Sequence, residues 1–220
     1  MPPPCPLCQA PDSAPFSADR RRDYLRCRHC LLVFTPPEYH LDRGAEKAHY
    51  DLHQNRPDDP GYRQFLNRLA EPLASRLTAG ARGLDFGSGP GPTLSLMLAE
   101  RGFATAIYDP YYAADPSVLT GSFDFVTATE VVEHLAHPGR ELNRLWSLIR
   151  PGGWLGLMTK LVLEVDAFAR WHYKNDPTHI CFFSRETFLW LGRQWGASPE
   201  FVGSDVILMQ KADGDLPAGP

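Results

Sequence analysis

The chain has 220 residues, a length that allows one sizeable folded core and a small additional module. Apolar residues make up 43% of the sequence and charged residues 22%, as in an ordinary water-soluble globular protein. The net charge of −4 disfavours a nucleic-acid partner, because nucleic-acid binders usually present a basic face. One basic run is present, Arg20-Arg21-Arg22, and we interpret it as a solvated loop.

Neither a membrane span nor a secretion signal is visible in the sequence. No uninterrupted apolar run reaches the roughly 18 residues that a membrane-spanning helix requires. The first residues, MPPPCPLC, lack the apolar core of a signal peptide. We therefore predict a protein of the reducing cytoplasm without a membrane partner, where closely spaced cysteines indicate metal more than disulfide bonds.

Four of the five cysteines form two CxxC pairs, Cys5 with Cys8 and Cys27 with Cys30. Each CxxC turn can present two sulfurs to one ion, and four thiolates suit the tetrahedral preference of zinc. We predict a structural zinc site in a ribbon-like module over residues 1–40, because a module of that size is too small for a self-sufficient core. Two unrelated cysteine pairs, or a disulfide framework, are the alternatives.

Residues 41–80 are interpreted as a linker followed by a helical cap on the next domain. Asp59 and Pro60 suit the start of a helix, and apolar residues follow them at helical spacing. Pro72 falls inside this pattern and is expected to bend the helix.

From about Arg82 the sequence alternates between short apolar strands and helices, which implies a parallel sheet with helices on its faces. The predicted strands are GLDF, FATAIYD, FDFVTAT and WLGLMT, and the predicted helices are PTLSLMLAERG and ELNRLWSLIR. HICFF and DVILMQK are predicted as strands on either side of a helix from Ser184 to Gly196. We predict an α/β domain over residues 81–212 and a disordered tail over residues 213–220.

The stretch GLDFGSGPGPTLS places a glycine-rich loop between a strand and a helix. Its glycines miss the dinucleotide fingerprint, and it lacks the lysine of a phosphate-binding loop. Pro90 and Pro92 each remove a backbone N–H donor that a phosphate would need. Asp85 would repel a phosphate but attract an ammonium group, while the helix start favours a carboxylate. The loop therefore predicts a ligand with an amino-acid head group.

The next strand ends in Asp109. A carboxylate at this position can accept hydrogen bonds from two ribose hydroxyls, as its counterpart does in dinucleotide-binding folds. An amino-acid head and a ribose together describe S-adenosylmethionine. The alternative is a surface aspartate before a turn.

At these residues the sequence resembles class I S-adenosylmethionine-dependent methyltransferases, over roughly residues 83–211. The matching segments are LDFGSGPG, AIYDP, FDFVTATEVVEHL and LIRPGGWLGLMT, in the family's order. The resemblance implies a Rossmann-like α/β fold whose sheet has seven mostly parallel strands and an antiparallel final hairpin, which HICFF and DVILMQK would supply.

The resemblance also implies which residues bind the cofactor. They are Asp85, Gly87, Ser88, Gly89, Gly91, Asp109, Thr129 and Glu130. The glycines would allow close backbone approach to the methionine moiety, and Asp85 would orient its amino group. Asp109 would hold the ribose, while Thr129 and Glu130 would border the cofactor.

Two histidines are candidates for a catalytic base, because histidine titrates near neutral pH. His134 ends the motif EVVEH, in which Glu130, Glu133 and His134 would share one face of a helix. This trio resembles one associated with magnesium in ubiquinone-pathway O-methyltransferases; helix-surface or capping contacts are the alternative. His179, in WHYKNDPTHICFF, is expected near the ligand-binding edge of the sheet, either as a base or as a partner of a buried backbone carbonyl.

The four-cysteine site before this fold resembles two groups, the C-methyltransferases of deoxysugar biosynthesis and a set of ribosomal-RNA guanine methyltransferases. The acidic net charge disfavours RNA. We therefore predict a methyltransferase for a small molecule. The alternatives are an RNA methyltransferase that grips its substrate with the basic run, and a catalytically silent adaptor.

Overall fold

The structure of the protein is a computed structural model, and it describes residues 2–52 and 56–213. The predicted disordered tail over residues 213–220 lies outside these ranges, apart from Asp213. In chain order the strands are β1 (Ser13–Ala18), β2 (Asp23–Cys27), β3 (Val33–Phe34), β4 (Arg82–Phe86), β5 (Ala104–Tyr108), β6 (Phe123–Thr129), β7 (Ile149–Met158), β8 (Cys181–Phe182), β9 (Pro199–Val202) and β10 (Val206–Gln210). The α-helices are α1 (Arg43–Tyr50), α2 (Pro60–Ala74), α3 (Thr93–Ala99), α4 (Pro138–Leu148), α5 (Val165–Ala169) and α6 (Arg185–Trp195).

The larger sheet has the strand order β5-β4-β6-β7-β10-β9. Its first four strands are parallel, whereas β10 is antiparallel to both β7 and β9. The predicted Rossmann-like, mostly parallel α/β sheet with an antiparallel final hairpin is therefore confirmed. The described residues give this sheet six strands instead of seven. The short interval between Asp109 and Phe123 holds a 3-10 helix, Pro116–Thr120, and leaves no room for a further edge strand.

The smaller sheet is fully antiparallel, with the strand order β1-β2-β3-β8. The expectation that HICFF forms half of the final hairpin is wrong, because Cys181 pairs with Phe34 and Phe182 with Val33. The hairpin of the larger sheet is made by β9 and β10 instead. An apolar run shows that a strand is buried on both faces, but it does not show which strand is its partner.

The helix boundaries follow local signals in the sequence. The Asp59 side chain accepts hydrogen bonds from the N–H groups of Gly61 and Tyr62, and therefore caps α2 as predicted. Ser184 caps α6, and Gly196 ends it in the left-handed conformation. By contrast, α4 ends at Leu148, so the Pro-Gly-Gly turn falls within β7.

The two faces of the larger sheet are covered by helices. Leu66, Leu69 and Leu73 of α2 are buried against a cluster that includes Trp154 and Leu208. Each fully buried leucine contributes about 1.5 to 3 kcal/mol to folding, so the predicted helical cap is an integral part of the core. None of the helices in the described part of the chain is long and apolar enough to cross a membrane.

Candidate functional site

A cavity of about 910 Å³ lies at the carboxyl ends of β4, β5 and β6. This is the position where open α/β sheets bind ligands, and the volume is large enough for a cofactor and a small acceptor together. Seven of the eight predicted cofactor residues line it: Asp85, Gly87, Ser88, Gly89, Asp109, Thr129 and Glu130. The eighth, Gly91, is buried and does not line the cavity; its carbonyl accepts the N–H of Thr93. Both predicted histidines, His134 and His179, also line the cavity.

The glycine-rich loop follows β4 in a conformation that side chains resist. Gly87 and Gly89 have φ angles of 76° and 64°, which favour glycine. A Cβ atom on Gly87 would lie 2.4 Å from Cγ2 of Val131, so the loop packs closely on the turn after β6. The hydroxyl oxygen of Ser88 is buried without a hydrogen-bond partner in the described chain. An orphaned hydroxyl beside the half-buried Gly87 and Gly89 fits a polar ligand in this loop.

Asp85 ends its strand almost completely buried, with 2% of its surface exposed. Its carboxylate accepts a hydrogen bond from Thr127 Oγ1 at 2.9 Å. Burial raises the pKa of Asp85 to about 7, because no cation in the described residues offsets the lost hydration. A ligand ammonium group would supply that missing positive charge, as the sequence predicts.

Asp109 is buried at the end of β5 and is already engaged by backbone groups. Oδ2 accepts the N–H of Gly89 at 2.9 Å, and Oδ1 accepts the N–H groups of Tyr111 and Tyr112 at 2.8 and 3.1 Å. A carboxylate has about four acceptor positions, so about one is left for a ribose hydroxyl in this arrangement. The ribose role of Asp109 stays a prediction.

The sequence did not predict the contact between α1 and the turn that follows Asp109 at the edge of the cavity. Tyr111 donates a hydrogen bond to Glu46 at 2.5 Å, and Tyr112 donates one to Asp51 at 2.7 Å. These bonds tie α1 to the turn after Asp109, beside the predicted ribose position. The two tyrosines directly after Asp109 are the only local sign of this contact in the sequence. Their partners, Glu46 and Asp51, lie 65 and 61 positions earlier in the chain.

Two carboxyl groups and one phenol form a hydrogen-bonded network beside the cavity; Glu130 and Tyr173 line the cavity, whereas Glu133 is fully buried. Tyr173 donates to Glu133 and approaches Glu130 Oε2 at 3.2 Å and Thr159 Oγ1 at 3.3 Å. Burial raises the pKa of Glu133 to about 8 and that of Glu130 to about 7. One oxygen of each carboxyl group is buried without a hydrogen-bond partner in the described chain.

The predicted trio of Glu130, Glu133 and His134 does not share a helical face. Glu130 precedes a short 3-10 helix, Val132–His134, and has a φ angle of 52°. The group that the fold assembles is Glu133, His134 and His179, whose donor atoms lie within 4.8 Å of one another. This group lacks Glu130, and its two imidazoles and one carboxyl differ from the oxygen-rich ligand set that magnesium prefers.

Both histidines use one ring nitrogen to contact a backbone carbonyl. His179 Nδ1 lies 2.7 Å from Tyr173 O, and His134 Nδ1 lies 3.2 Å from Thr178 O. A carbonyl only accepts, so Nδ1 carries the proton in both rings and Nε2 is the basic nitrogen when the ring is neutral. Burial lowers the pKa of His179 to about 4 and keeps its ring neutral at pH 7. His179 therefore makes the expected contact with a buried carbonyl and also lines the cavity, while its role as a base stays a prediction.

The four N-terminal cysteines come together as predicted. Cys5 and Cys30 have their sulfurs 3.5 Å apart, as do Cys8 and Cys27, and all four sulfurs lie within 4.8 Å of one another. None of the four forms a disulfide bond. Sulfurs on a tetrahedral zinc ion, each about 2.3 Å from the metal, have separations in this range. The cluster therefore fits a zinc ion by donor type and by spacing.

The basic run differs from its predicted solvated state at one position. Arg20 and Arg21 are exposed, but Arg22 is buried. The charge pattern alone could not show this, because the partners of Arg22 are backbone carbonyls far along the chain.

Comparison with known proteins gives a family match. A family model described as a methyltransferase domain matches residues 52–199. No curated protein matches the sequence.

Solved structures show the same fold at low sequence identity. An O-methyltransferase family protein from Burkholderia thailandensis is 13% identical, with a TM-score of 0.53; the match covers 81% of this chain and 63% of that protein, so the chain spans less than two thirds of its length. The 1,6-didemethyltoxoflavin-N1-methyltransferase of the same organism, with bound 1,6-didemethyltoxoflavin and S-adenosylhomocysteine, is 16% identical with a TM-score of 0.55, over 90% of this chain and 99% of that one. Magnesium protoporphyrin IX methyltransferase from Synechocystis, with bound S-adenosylhomocysteine, is 19% identical with a TM-score of 0.53, over 69% and 84%.

Proposed function

The chain belongs to the methyltransferase-domain family, and from that premise we propose that it transfers a methyl group from S-adenosylmethionine to a small-molecule acceptor. The observation that carries this proposal is the composition of the cavity lining. The lining combines the glycine loop, Asp85 and Asp109, here called the cofactor side, with Tyr173 and the two histidines, here called the acceptor side. A cofactor on the cofactor side would present its methyl group to an acceptor on the acceptor side.

The cofactor side matches the chemistry of S-adenosylmethionine group by group. The ammonium group would lie near Asp85, and the carboxylate near the start of α3. The methionine chain would cross Gly87 and Gly89, with the Ser88 hydroxyl as a hydrogen-bonding group. Asp109 would accept a ribose hydroxyl. Thr129 and Glu130 would border the sulfonium end.

Methyl transfer is an in-line displacement at carbon. A lone pair of the acceptor forms the new bond to the methyl carbon, and the electron pair of the breaking carbon–sulfur bond stays on sulfur. The enzyme mainly aligns nucleophile, methyl and sulfur. Where the acceptor is a hydroxyl or an N–H group, its proton leaves to a base, and we assign that role to Nε2 of His179 or His134. Asp176 Oδ2, 3.9 Å from His179 Nε2, would stabilise the resulting imidazolium.

A small acceptor is favoured over RNA by the charge of the chain. The net charge is −4, and Arg22 of the one basic run donates to backbone carbonyls inside the protein. The neighbouring 1,6-didemethyltoxoflavin-N1-methyltransferase holds 1,6-didemethyltoxoflavin, a small molecule, which is consistent with this class of substrate.

We infer that the four-cysteine cluster holds a structural zinc ion. The ligands would be Cys5, Cys8, Cys27 and Cys30, which leave no coordination position for chemistry. Thiolate ligands need a reducing compartment such as the cytoplasm to stay reduced.

The test is calorimetric titration of zinc-loaded protein with S-adenosylmethionine and S-adenosylhomocysteine. Both are expected to bind, and Asp109→Ala should weaken binding about 10- to 100-fold by removing a charged hydrogen-bond acceptor. Asp166→Ala, at an exposed position on α5, is the matched control and should bind like the wild type. Labelled methyl transfer into a panel of hydroxyl- and amine-bearing metabolites then identifies the acceptor class. Absence of binding by folded wild-type protein would refute the proposal.

A further inference from the structure

Arg22 is a buried charge that the proposed chemistry does not use. It is 7% exposed, although its neighbours Arg20 and Arg21 are exposed. A guanidinium removed from water must find acceptors for its five N–H groups inside the protein. The acceptors of Arg22 lie 152 to 157 positions further along the chain.

All four acceptors are backbone carbonyl oxygens of one short segment. Nη1 donates to His179 O at 2.8 Å and to Pro177 O at 3.3 Å. Nη2 donates to Asp176 O at 3.0 Å and to Lys174 O. One planar fork therefore fixes four carbonyl groups at once, a geometry that the point charge of a lysine cannot reproduce.

The same segment is tied to the N-terminal module by two further contacts. The ammonium group of Lys174, a residue that is 5% exposed, lies 2.5 Å from Asp19 Oδ2. Burial opposes ionisation of Asp19, but hydrogen bonds from Lys174 and from the turn of the basic run hold the pKa of Asp19 below its usual range. At the other end of the segment, the N–H of Thr35 donates to Ile180 O at 2.9 Å, where β3 pairs with β8.

The side chains of this segment form the acceptor side of the cavity. Tyr173, Asp176 and His179 all line it. Tyr173 also contacts the carboxyl groups of Glu130 and Glu133. A shift of the segment backbone would therefore move the candidate base and the phenol together.

We propose that Arg22 is a positioning residue for residues 172–180, and that the N-terminal module braces the acceptor side of the methyltransferase site. The catalytic consequence rests on the proposed function, but the bracing can be measured without any acceptor. All four hydrogen bonds of Arg22 are made inside the protein, so the module uses this arginine to hold its own active-site segment and not to grip RNA.

The test compares Arg22→Met with Arg21→Met by hydrogen exchange and mass spectrometry on zinc-loaded full-length protein. Methionine keeps an unbranched side chain but removes every donor. Exchange over residues 172–180 should become at least about tenfold faster in Arg22→Met, while β4 and β6 keep their protection. Arg21→Met should exchange like the wild type. Equal exchange over residues 172–180 in the two variants would overturn the proposal.

Two further readouts separate positioning from general destabilisation. In Arg22→Met, the affinity for S-adenosylhomocysteine should stay within about threefold of the wild type, while turnover should fall at least about tenfold. Arg22→Lys should recover only part of the lost turnover, because lysine cannot reproduce the planar fork. If the wild-type protein binds neither S-adenosylmethionine nor S-adenosylhomocysteine, the proposed function is refuted. The hydrogen-exchange result would still test whether the module braces residues 172–180.

If Arg22→Met does not fold, amide exchange in the wild-type protein tests whether the N-terminal module braces residues 172–180. The N–H of Thr35 and that of Ile180 lie on the two sides of the junction between β3 and β8. Bracing requires that both exchange through one shared opening, with rates that agree within about threefold after correction for intrinsic exchange. Rates that differ more than about tenfold would show independent openings and contradict the proposal.

Discussion

Glu133 is a carboxylic acid that the fold buries completely, and its environment favours the protonated form. Burial and the neighbouring carboxyl group of Glu130 raise the pKa of Glu133 to about 8, while the hydrogen bond from Tyr173 opposes this. In the unfolded chain a glutamate titrates near 4.3. Between these two pH values the unfolded chain has released a proton that the folded protein still holds.

This difference predicts how stability depends on pH. Because the folded state binds more protons, the contribution of Glu133 is fully present below about pH 4 and is lost as the pH rises through about 8. Glu133→Gln removes the titration, so the free energy of unfolding of the variant relative to the wild type should rise by about 1 to 3 kcal/mol between pH 5.5 and pH 8. Chemical denaturation of both proteins at pH 5.5 and pH 8 measures this difference in the free energy of unfolding.

The control for that experiment is Glu186→Gln, since Glu186 is exposed on the first turn of α6. Its stability difference from the wild type should be the same at both pH values. A pH-independent difference for Glu133→Gln as well would show that Glu133 is ionised in the folded protein, contrary to the account given above.

Individual site residues were predictable where their chemistry is local in the sequence. Asp85 and Gly87 follow from a strand, a turn and a helix in direct succession, and both line the cavity. Arg22 was not predictable, because its acceptors are carbonyl groups and any residue type provides one. The grouping of Glu133 with His179 also depends on tertiary contact and left no periodic signal.

At the scale of elements, β3 and β8 are two-residue strands that pair with each other. Strands this short have few hydrogen bonds of their own and depend on the structures that hold their ends. On one side this is the cysteine cluster, and on the other the turn in which the N–H of Ile180 donates to Glu133 O at 2.8 Å. The state of the cluster is therefore expected to affect β8.

At the level of the strands, we predict the consequences of losing the zinc ion. The protein should contain one zinc ion per chain by elemental analysis, and Cys30→Ser should lose it because three thiolates bind zinc less tightly than four. Cys181→Ala is the matched control, since Cys181 is also buried but lies outside the cluster, and it should keep its zinc. A chelator should increase exchange in β1 to β3 and in β8. Full zinc occupancy in Cys30→Ser would contradict the assigned ligand set.

The elements themselves were largely predictable, and their partners were not. Capping residues and apolar periodicity located α2 and α6, since both signals act within a few residues. The pairing of β8 with the N-terminal sheet could not be derived, because a short apolar strand carries no mark of its neighbour. The predicted seven strands are six in the described residues, because the interval between Asp109 and Phe123 is too short for another strand.

In the whole molecule, both sheets contribute residues to one site. The larger sheet presents the glycine loop and Asp109, and the smaller sheet leads through β8 to His179. The N-terminal module also packs on α4, where a Cβ on Gly139 would lie 2.1 Å from the carbonyl oxygen of Leu7. The module is therefore built into the methyltransferase fold on two sides.

The central claim is that the turn after β4 selects an amino-acid tail instead of a diphosphate. A crystal structure of the zinc-loaded protein with S-adenosylhomocysteine, paired with a soak in NAD, tests it most directly. The account predicts the amino-acid tail of S-adenosylhomocysteine against Asp85 and Gly87, the ribose at Asp109, and the sulfur facing His179. NAD bound over residues 85–92, with S-adenosylhomocysteine absent from the cavity, would contradict it.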